Sequence, residues 1–422
     1  MGRKKPAHFY GEKKMLDSFY IKNFRLFKEL KIKTLSRVNL ITGKNNSGKS
    51  CFLEALRIHA TKASPYLLED LILEREENWE KNIKLSSDIK TVFDNPFRYL
   101  FYGYNFPKVD KDYIEIGSLQ NKKNRLKLRI TECHVVQSIH DNNRTSLNLS
   151  DLFKKLDIKD GAEYLQNFYE KQPKNSIIEN KFEFGIELEI LNQKTVLGYL
   201  NTNGEPIMGF SNDLWSKISY VVDPTITIQS ISVDRLKEKD IIVLWDKISL
   251  EFDLKQHLIN AICLFDNQIK SDILPKTILK DIVLIGKEKT TPILIYYNGK
   301  KLPLKSLGYG VTRLFYIILA LVNVKDGMLL IDEFENGLHY SVQPKIWDVI
   351  FKLAETLNIQ VFATTHSRDC IRAFHEIWSK PENNDKGCFF RLDHYPEKDI
   401  IRPMFYDLEI LGDALDVNGE MR

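Results

Sequence analysis

The 422-residue sequence predicts an α/β fold built around a parallel sheet, and three strand-like runs indicate it. Residues 38–42, 327–331 and 360–363 are rich in apolar residues, as expected of strands that are covered on both faces. A glycine-rich turn and an apolar helix follow the first run, two carboxylates follow the second, and Thr-Thr-His-Ser follows the third. Sheets of this kind place ligand groups at the carboxyl ends of their strands, so these three segments are the predicted functional positions.

The turn after the first strand matches the phosphate-binding pattern G-x-x-x-x-G-K-S. Glycines let the backbone curl until its N–H groups point at phosphate oxygens, and the following helix adds its positive N-terminal end. Lys49 is predicted to reach the β- and γ-phosphates of a bound nucleotide, and the Ser50 hydroxyl to bind Mg²⁺. A chance glycine-lysine turn is the alternative interpretation. The predicted nucleotide-binding residues here are Gly43, Asn45, Asn46, Ser47, Gly48, Lys49, Ser50 and Cys51.

The second strand ends in the carboxylate pair Asp332 and Glu333. Asp332 is predicted to hold Mg²⁺, either directly or through water. Glu333 is one residue further on, where a carboxylate within hydrogen-bond reach of the attacking water would polarise it. An ordinary acidic turn after a strand is the alternative interpretation.

Further segments, in the expected order, resemble the ABC-type ATPases. Ser306, Gly308 and Gly310 precede or begin an apolar helix and match the signature motif, which in that superfamily binds the γ-phosphate of the nucleotide held by the opposite subunit. Residues 335–339 look like a D-loop, which adds Asn336 to the expected nucleotide contacts, and His366 looks like the switch histidine that contacts the γ-phosphate. The resemblance implies catalytic roles for Lys49, Glu333 and His366.

A closer resemblance is to the RecF, SMC and OLD branch of these ATPases. Residues 20–28 are similar to its "IxNFRxF" opening strand, and residues 332–339 to its "DExExGLH" segment. The implied fold is a P-loop ABC-type ATPase head with a mixed β lobe and an inserted α+β region. The sequence departs from the pattern at Tyr309, where an acidic or small residue is more usual. Gln229 is the candidate Q-loop glutamine, and a polar residue on a half-buried strand is its alternative interpretation.

Three regions are predicted along the chain. Residues 1–62 and 226–422 form the two parts of the ATPase head, and residues 63–225 form an inserted α+β lobe that contacts a partner or nucleic acid. No heptad repeat persists there, so no long coiled-coil arm of the SMC kind is expected. The basic run at residues 122–129 either contacts nucleic-acid phosphates or forms a solvated hairpin. The net charge of +4 does not decide between them, because it is too small to indicate a nucleic-acid-binding protein.

Composition excludes several other classes of protein. Hydrophobic residues make up 43% of the chain and charged residues 28%, which are globular values. The five cysteines are widely spaced without a C-x-x-C pair, so neither a disulfide framework nor a zinc site is indicated. Neither a secretion signal nor a run of 18 apolar residues occurs, and we expect a cytoplasmic protein that does not contact a membrane.

The resemblance implies a homodimer, or a higher even-numbered assembly, that closes over Mg-ATP. Two functions remain open. One is the sensor or scaffold subunit of a bacterial antiphage defence system that controls a separately encoded effector, a nuclease or a toxin, as OLD-like ATPases do. The other is a RecF-like DNA-binding ATPase in DNA repair. Only residues 367–422 follow His366, too few for the fused Toprim nuclease of full OLD proteins, which favours the first.

Two further alternatives receive less support from the sequence. A degenerate nucleotide-binding scaffold is disfavoured because Lys49, Asp332 and Glu333 are all present. A GTPase is disfavoured because the sequence holds no N-K-x-D segment for reading guanine.

Overall fold

The computed structural model describes residues 15–77, 96–137, 179–199, 208–209, 226–231, 238–266, 279–285 and 291–417. The strands in these ranges are β1 (Phe19–Phe24), β2 (Phe27–Ile32), β3 (Val38–Thr42), β4 (Tyr113–Gly117), β5 (Leu126–Gln137), β6 (Glu179–Ile190), β7 (Gln193–Tyr199), β8 (Met208–Gly209), β9 (Ile228–Ile231), β10 (Leu279–Ile285), β11 (Thr291–Tyr296), β12 (Lys301–Pro303), β13 (Met328–Ile331), β14 (Gln360–Thr364), β15 (Gly387–Tyr395) and β16 (Ile400–Tyr406). The helices are α1 (Lys49–Ala60), α2 (Pro65–Glu74), α3 (Glu238–Ser249), α4 (Phe252–Asp266), α5 (Tyr309–Val322), α6 (Gln343–Thr356), α7 (Arg368–Trp378) and α8 (Leu408–Asp416).

A six-stranded sheet carries the candidate site. Its order is β16-β15-β3-β14-β13-β9, and all neighbouring pairs are parallel except β15 with β16. The strands predicted at residues 38–42, 327–331 and 360–363 are therefore adjacent, with β14 between β3 and β13. The predicted α/β fold with a parallel sheet is confirmed.

Alternate residues of the central strands face two different cores, because successive side chains of a strand point to opposite faces. Val361 and Ala363 face the core that holds α5, α6 and α7, whereas Phe362 faces the core that holds α1. Phe52 of α1 makes edge-on ring contacts with Phe362 on one side and with Phe19 of β1 on the other. Helix α1 is thus clamped between two sheets, which fixes the turn at its N-terminus.

The second sheet is antiparallel and has the order β2-β1-β4-β5-β6-β7-β8. It begins with the β1–β2 hairpin of the N-terminal region and continues through strands from the predicted inserted lobe. The described strands of that lobe therefore extend a sheet begun by the head. The remaining predictions for residues 78–95, 138–178 and 210–225 lie outside the described residues.

A buried arginine joins this sheet to α1. Arg25, in the turn between β1 and β2, is fully buried and forms ion pairs with Glu54 of α1 and with Glu77. Arg75 also pairs with Glu54, at 2.7 Å. A buried charge needs such partners, since leaving it unpaired is costly. This network explains the arginine of the "IxNFRxF" segment as an anchor for the helix that follows the phosphate-binding turn.

The predicted hairpin before the signature is confirmed. Strands β10 and β11 pair antiparallel, and β11 pairs with β12 across a turn that includes Gly299, whose φ is +83°. Within the described part of the chain, none of the helices is long and apolar enough to cross a lipid bilayer.

Candidate nucleotide-binding site

The segments that follow β3, β13 and β14 meet at the carboxyl edge of the parallel sheet. The clearest link is a hydrogen bond of 2.9 Å from the Ser50 hydroxyl to Oδ2 of Asp332. Thr365 N donates to the carbonyl of Ile41 at 2.9 Å, which joins the ends of β14 and β3. The structure therefore brings the three predicted functional segments into one place.

The phosphate-binding turn requires glycine at two positions. Gly43 has φ +149° and Gly48 has φ +93°, a region that residues with a side chain rarely adopt. A Cβ at Gly48 would lie 2.7 Å from Cζ of Phe27, and one at Gly43 would lie 2.5 Å from Oγ of Ser47. The cradle is thus closely packed from beneath, and its shape depends on both glycines.

Lys49 lies inside this cradle and is 6% exposed. Its Nζ donates to the carbonyls of Gly43 at 2.9 Å and Lys44 at 3.0 Å. Burial lowers the pKa of Lys49 to about 8, against the opposite effect of Asp332 and Glu333. The amine is held by the loop itself, in a position from which it can bind an anion in the cradle.

The other residues of the turn divide by exposure. Asn45 and Asn46 are exposed, and Asn46 has a positive φ of 60°. The Ser47 hydroxyl is buried and has no hydrogen-bond partner among the described residues, so it is available to an oxygen of a bound phosphate. Cys51 is turned into the core, where Arg75 contacts its Sγ at 3.4 Å and burial raises the pKa of the thiol to about 11.

Asp332 is fixed by two hydroxyl groups. Besides Ser50, the Oγ1 of Thr364 donates to its carboxylate, and the same Oγ1 accepts from Glu333 N at 2.9 Å. Carboxylate and hydroxyl oxygens are the hard ligands that Mg²⁺ prefers. The hydroxyl of Ser50 and the carboxylate of Asp332 therefore fit a magnesium ion bound to a nucleoside triphosphate.

Glu333 has a left-handed backbone with φ +47°. This conformation is uncommon for a residue with a side chain and costs on the order of 1–3 kcal/mol, so the surrounding structure must impose it. The hydrogen bonds from Glu333 N to Thr364 Oγ1 and from Phe334 N to Thr364 O, both at 2.9 Å, do so. Strain of this kind concentrates at functional sites.

His366 follows β14 and lies near the same charges. Burial lowers its pKa, as does Lys49, while Glu335, Glu333 and Asp332 oppose the shift. Its backbone N donates to Oε1 of Glu335 at 2.7 Å. Burial and Lys49 therefore favour the neutral form of the imidazole, in a site that also contains three carboxylates.

The predicted signature residues lie on a separate, exposed feature. Ser306 and Gly308 are exposed, and Gly308, with φ +92°, has no atom within 4 Å of the position of a Cβ. Helix α5 begins immediately after Gly308, so its positive end faces this surface. A cavity of about 230 Å³ adjoins it, lined by Lys305, Gly308, Tyr309, Thr312, Arg313 and Tyr316.

Tyr309 is the residue that departs from the family pattern, and it covers the predicted D-loop. A Cβ at Gly337 would lie 1.7 Å from Cε1 of Tyr309, so the ring rests directly on this glycine. Gly310 also lies close to this turn, because a Cβ at Gly310 would be 3.5 Å from the carbonyl oxygen of Gly337. Asn336 is in the same turn and its backbone N donates to Glu333 O at 3.0 Å. Signature and D-loop are therefore one packed unit.

Thr364 and Glu335 lie within segments that the sequence predicted to be functional, but neither was given a role of its own, and Arg313 was not singled out. Thr364 bonds Asp332, Glu335 bonds the His366 segment, and the buried Arg313 donates to the carbonyl of Asp332 at 3.3 Å. In the β13–β14 pairing Ile331 lies opposite Ala363, which places Thr364 beside Asp332. Knowledge of this register would have identified Thr364 as a partner of Asp332. Gln229 lies half-buried on edge strand β9, opposite Leu329.

Comparison with known proteins gives a family and two relatives. The pattern of the AAA ATPase domain family matches residues 15–371. An "ATP/GTP phosphatase" of Helicobacter pylori is 25% identical over 367 residues, which cover 86% of this chain and 88% of that protein. An uncharacterized protein of Methanocaldococcus jannaschii is 36% identical over 81 residues, 18% of this chain and 37% of that one.

Solved SMC heads are similar at a lower level. The SMC head domain from Thermotoga maritima has a TM-score of 0.40 and 11% identity, over 93% of this chain and 99% of that one. An Smc head bound to the C-terminal winged-helix domain of ScpA has a TM-score of 0.43 and 11% identity, over 93% and 98% of the two chains.

Proposed function

The chain belongs to the AAA ATPase domain family, and from this premise we propose that it is an ATP-driven switch that dimerises over Mg-ATP and controls a separately encoded effector. The effector is a nuclease or a toxin, and the switch is the sensor or scaffold subunit of a bacterial antiphage defence system. Hydrolysis of ATP is the activity of the family. The assembly, the effector and the biological role are the parts that we propose.

The residues of the cradle have distinct tasks in this proposal. Lys49 and the backbone of the turn bind the β- and γ-phosphates, and Ser50 with Asp332 would hold Mg²⁺. Mg²⁺, when bound, supplies positive charge against the phosphate oxygens. Glu333 orients and polarises the attacking water, and His366 contacts the γ-phosphate. The left-handed backbone of Glu333 is held by Thr364 before nucleotide binds, and we propose that this positions its carboxylate for the attacking water.

The exposed signature carries the dimer proposal. Ser306, Gly308 and the N-terminal end of α5 form a phosphate-attracting surface that is open to a ligand from outside the chain. If this surface meets the γ-phosphate held by a second copy, each nucleotide receives its full set of donors only when both copies close. Binding of ATP then favours the dimer, and hydrolysis removes the contact that holds it.

The similarity of residues 20–28 and 332–339 to the RecF, SMC and OLD branch is compatible with both roles, because that branch includes OLD-like and RecF-like ATPases. The RecF-like alternative is supported by the basic run at residues 122–129, and ion pairing weakens that support. Lys127 pairs with Glu189 at 2.9 Å, and Arg129 pairs with Glu187 at 3.2 Å. These cations already have anionic partners on β6, so that part of the run offers little net charge to a DNA backbone.

Two experiments separate the roles. Cells that carry the gene with its genomic neighbours are challenged with phage, beside cells that carry Lys49→Ala or Glu333→Gln. The proposal predicts protection with the wild-type chain and its loss with both variants. Equal plating of phage on all of these cells would contradict the defence role.

The second experiment measures the anisotropy of a labelled DNA duplex with and without Mg-ATP, over a range of salt concentrations. ATP-dependent, salt-sensitive binding would favour the RecF-like alternative. Hydrolysis of ATP and GTP is measured in parallel, because the name of the Helicobacter pylori relative includes both nucleotides.

A further inference from the structure

Glu335 uses both carboxylate oxygens on the segment that ends in His366. Its Oε2 accepts from Oγ1 of Thr365 at 2.7 Å, and its Oε1 accepts from the backbone N of His366 at 2.7 Å. Hydrogen bonds to a charged acceptor are stronger than those between neutral groups. One side chain of the D-loop therefore defines two consecutive residues of the segment after β14.

Thr365 extends this arrangement to the next helix. Its Oγ1 accepts from Ser367 N at 3.0 Å while donating to Glu335, and the Ser367 hydroxyl caps α7 by accepting from Cys370 N at 3.3 Å. On the other side, Thr42 Oγ1 donates to the carbonyl of Thr365 at 3.2 Å. The backbone around His366 is thus held from β3, from the D-loop and from α7.

The other side of the same turn contacts the signature. Leu338 N donates to the carbonyl of Glu335 at 2.9 Å, and the ring of Tyr309 rests on Gly337. Glu335 therefore stands between the signature surface, which we propose meets a second copy, and the His366 segment of its own chain. A displacement of the D-loop would move both acceptor oxygens of Glu335 relative to His366.

We infer that Glu335 is a positioning residue for ATP hydrolysis: it holds His366 in the orientation required for the γ-phosphate and couples that orientation to the D-loop. This inference rests on the proposed role of His366. Glu335 itself touches neither nucleotide nor water in this scheme. Its contribution passes entirely through His366, so substitution of Glu335 should have no further effect on kcat once the His366 side chain is removed.

A double-mutant cycle on steady-state hydrolysis of Mg-ATP tests it. The proteins are wild type, Glu335→Ala, His366→Ala and the double variant, each measured for kcat and KM. Glu335→Ala is expected to lower kcat on the order of 10- to 100-fold, the effect of a small misplacement of a catalytic group, with KM changed by less than about twofold. In the His366→Ala background the same change is expected to lower kcat no further.

Thr365 supplies a second and milder test if Glu335→Ala fails to fold. Thr365→Val removes the hydroxyl that donates to Glu335 and is expected to lower kcat. Thr365→Ser keeps a hydroxyl at this position and is expected to retain the wild-type kcat. Glu376→Ala, which removes an exposed carboxylate from α7, is the matched control and should leave kcat unchanged. Thermal unfolding of each variant reports whether the fold is retained.

Two outcomes would overturn the inference: wild-type kcat in Glu335→Ala and Thr365→Val, or an equal loss of kcat from Glu335→Ala in both backgrounds. Both outcomes are read together with the assembly state of each variant, because the proposed closed dimer also supplies groups to the γ-phosphate. The mass of the protein with bound Mg-ATP, measured separately, tests the proposed dimer, so failure of one account is distinguishable from failure of the other.

Discussion

Ser50 and Asp332 are 282 positions apart in the chain and are joined by a hydrogen bond of 2.9 Å from the hydroxyl to the carboxylate. The bond connects the turn after β3 to the end of β13, although β14 lies between these two strands in the sheet. Ser50 can reach because α1 starts directly above the strand ends. The pair brings a hydroxyl and a carboxylate together where a nucleotide-bound Mg²⁺ needs them.

We predict that Ser50→Ala raises the concentration of Mg²⁺ required for half-maximal hydrolysis of ATP about tenfold, because the ion loses one oxygen ligand and Asp332 loses its orienting donor. The measurement is hydrolysis over a magnesium titration at saturating ATP. Ser249→Ala, at an exposed serine in α3, is the control. An unchanged magnesium requirement in Ser50→Ala would refute the assignment.

Gly48→Ala tests the packing of the phosphate-binding turn. The positive φ of Gly48 costs a residue with a Cβ about 1–2 kcal/mol, and the contact of 2.7 Å with Phe27 adds to that. Gly299→Ala is a matched control, since Gly299 also has a positive φ, +83°, but no atom lies within 4 Å of its Cβ position. Denaturant unfolding should show the larger loss of stability for Gly48→Ala. Equal losses would mean that the Phe27 contact is easily relieved.

The buried His59 predicts a loss of stability in acid. Burial lowers its pKa to about 3 from an ordinary value of 6.5, so the unfolded chain binds the proton and the folded one does not. The stability is fully present above pH 6.5 and falls as the pH drops from 6.5 towards 3, by up to about 1.4 kcal/mol per pH unit.

Urea unfolding at a series of pH values checks this prediction. His59 contacts the ring of Phe19 edge-on. His59→Leu replaces it with an apolar side chain that does not titrate, and its stability should fall less steeply with pH than that of the wild type. His394→Gln is the control, because that side chain is 40% exposed, and it should follow the wild-type curve. If the free energy of unfolding falls equally with pH in the wild type and in His59→Leu, groups other than His59 govern the loss of stability in acid.

The local parts of the site could be predicted from the sequence, since each depends on a strand and the few residues after it. The turn around Lys49, the end of β13 at Asp332 and the segment at His366 all lie at the sheet edge where parallel strands must place them. The hairpin of β10 and β11 was predicted for a similar reason, from two apolar runs close together in the chain.

The contacts between segments could not be predicted, because they depend on strand register and side-chain direction. The bond from Thr364 to Asp332 requires β13 and β14 to pair Ile331 with Ala363, and no local pattern gives that offset. The left-handed backbone of Glu333 follows from the same bond network and leaves no trace in the sequence. The sequence left the basic run at residues 122–129 open between contact with nucleic-acid phosphates and a solvated hairpin. In the structure, Lys127 and Arg129 are paired with carboxylates of β6, a strand about 60 residues away.

Two copies of the chain are proposed to close over Mg-ATP, and the mass of Glu333→Gln in solution tests this closure most directly. This variant keeps the cradle and the signature but lacks the carboxylate that polarises water, so bound ATP should persist. Light scattering with and without Mg-ATP is predicted to show a monomer converted to a dimer or a larger even-numbered assembly, with Ser306→Arg blocking the change. A mass that stays monomeric with ATP demonstrably bound would contradict the account.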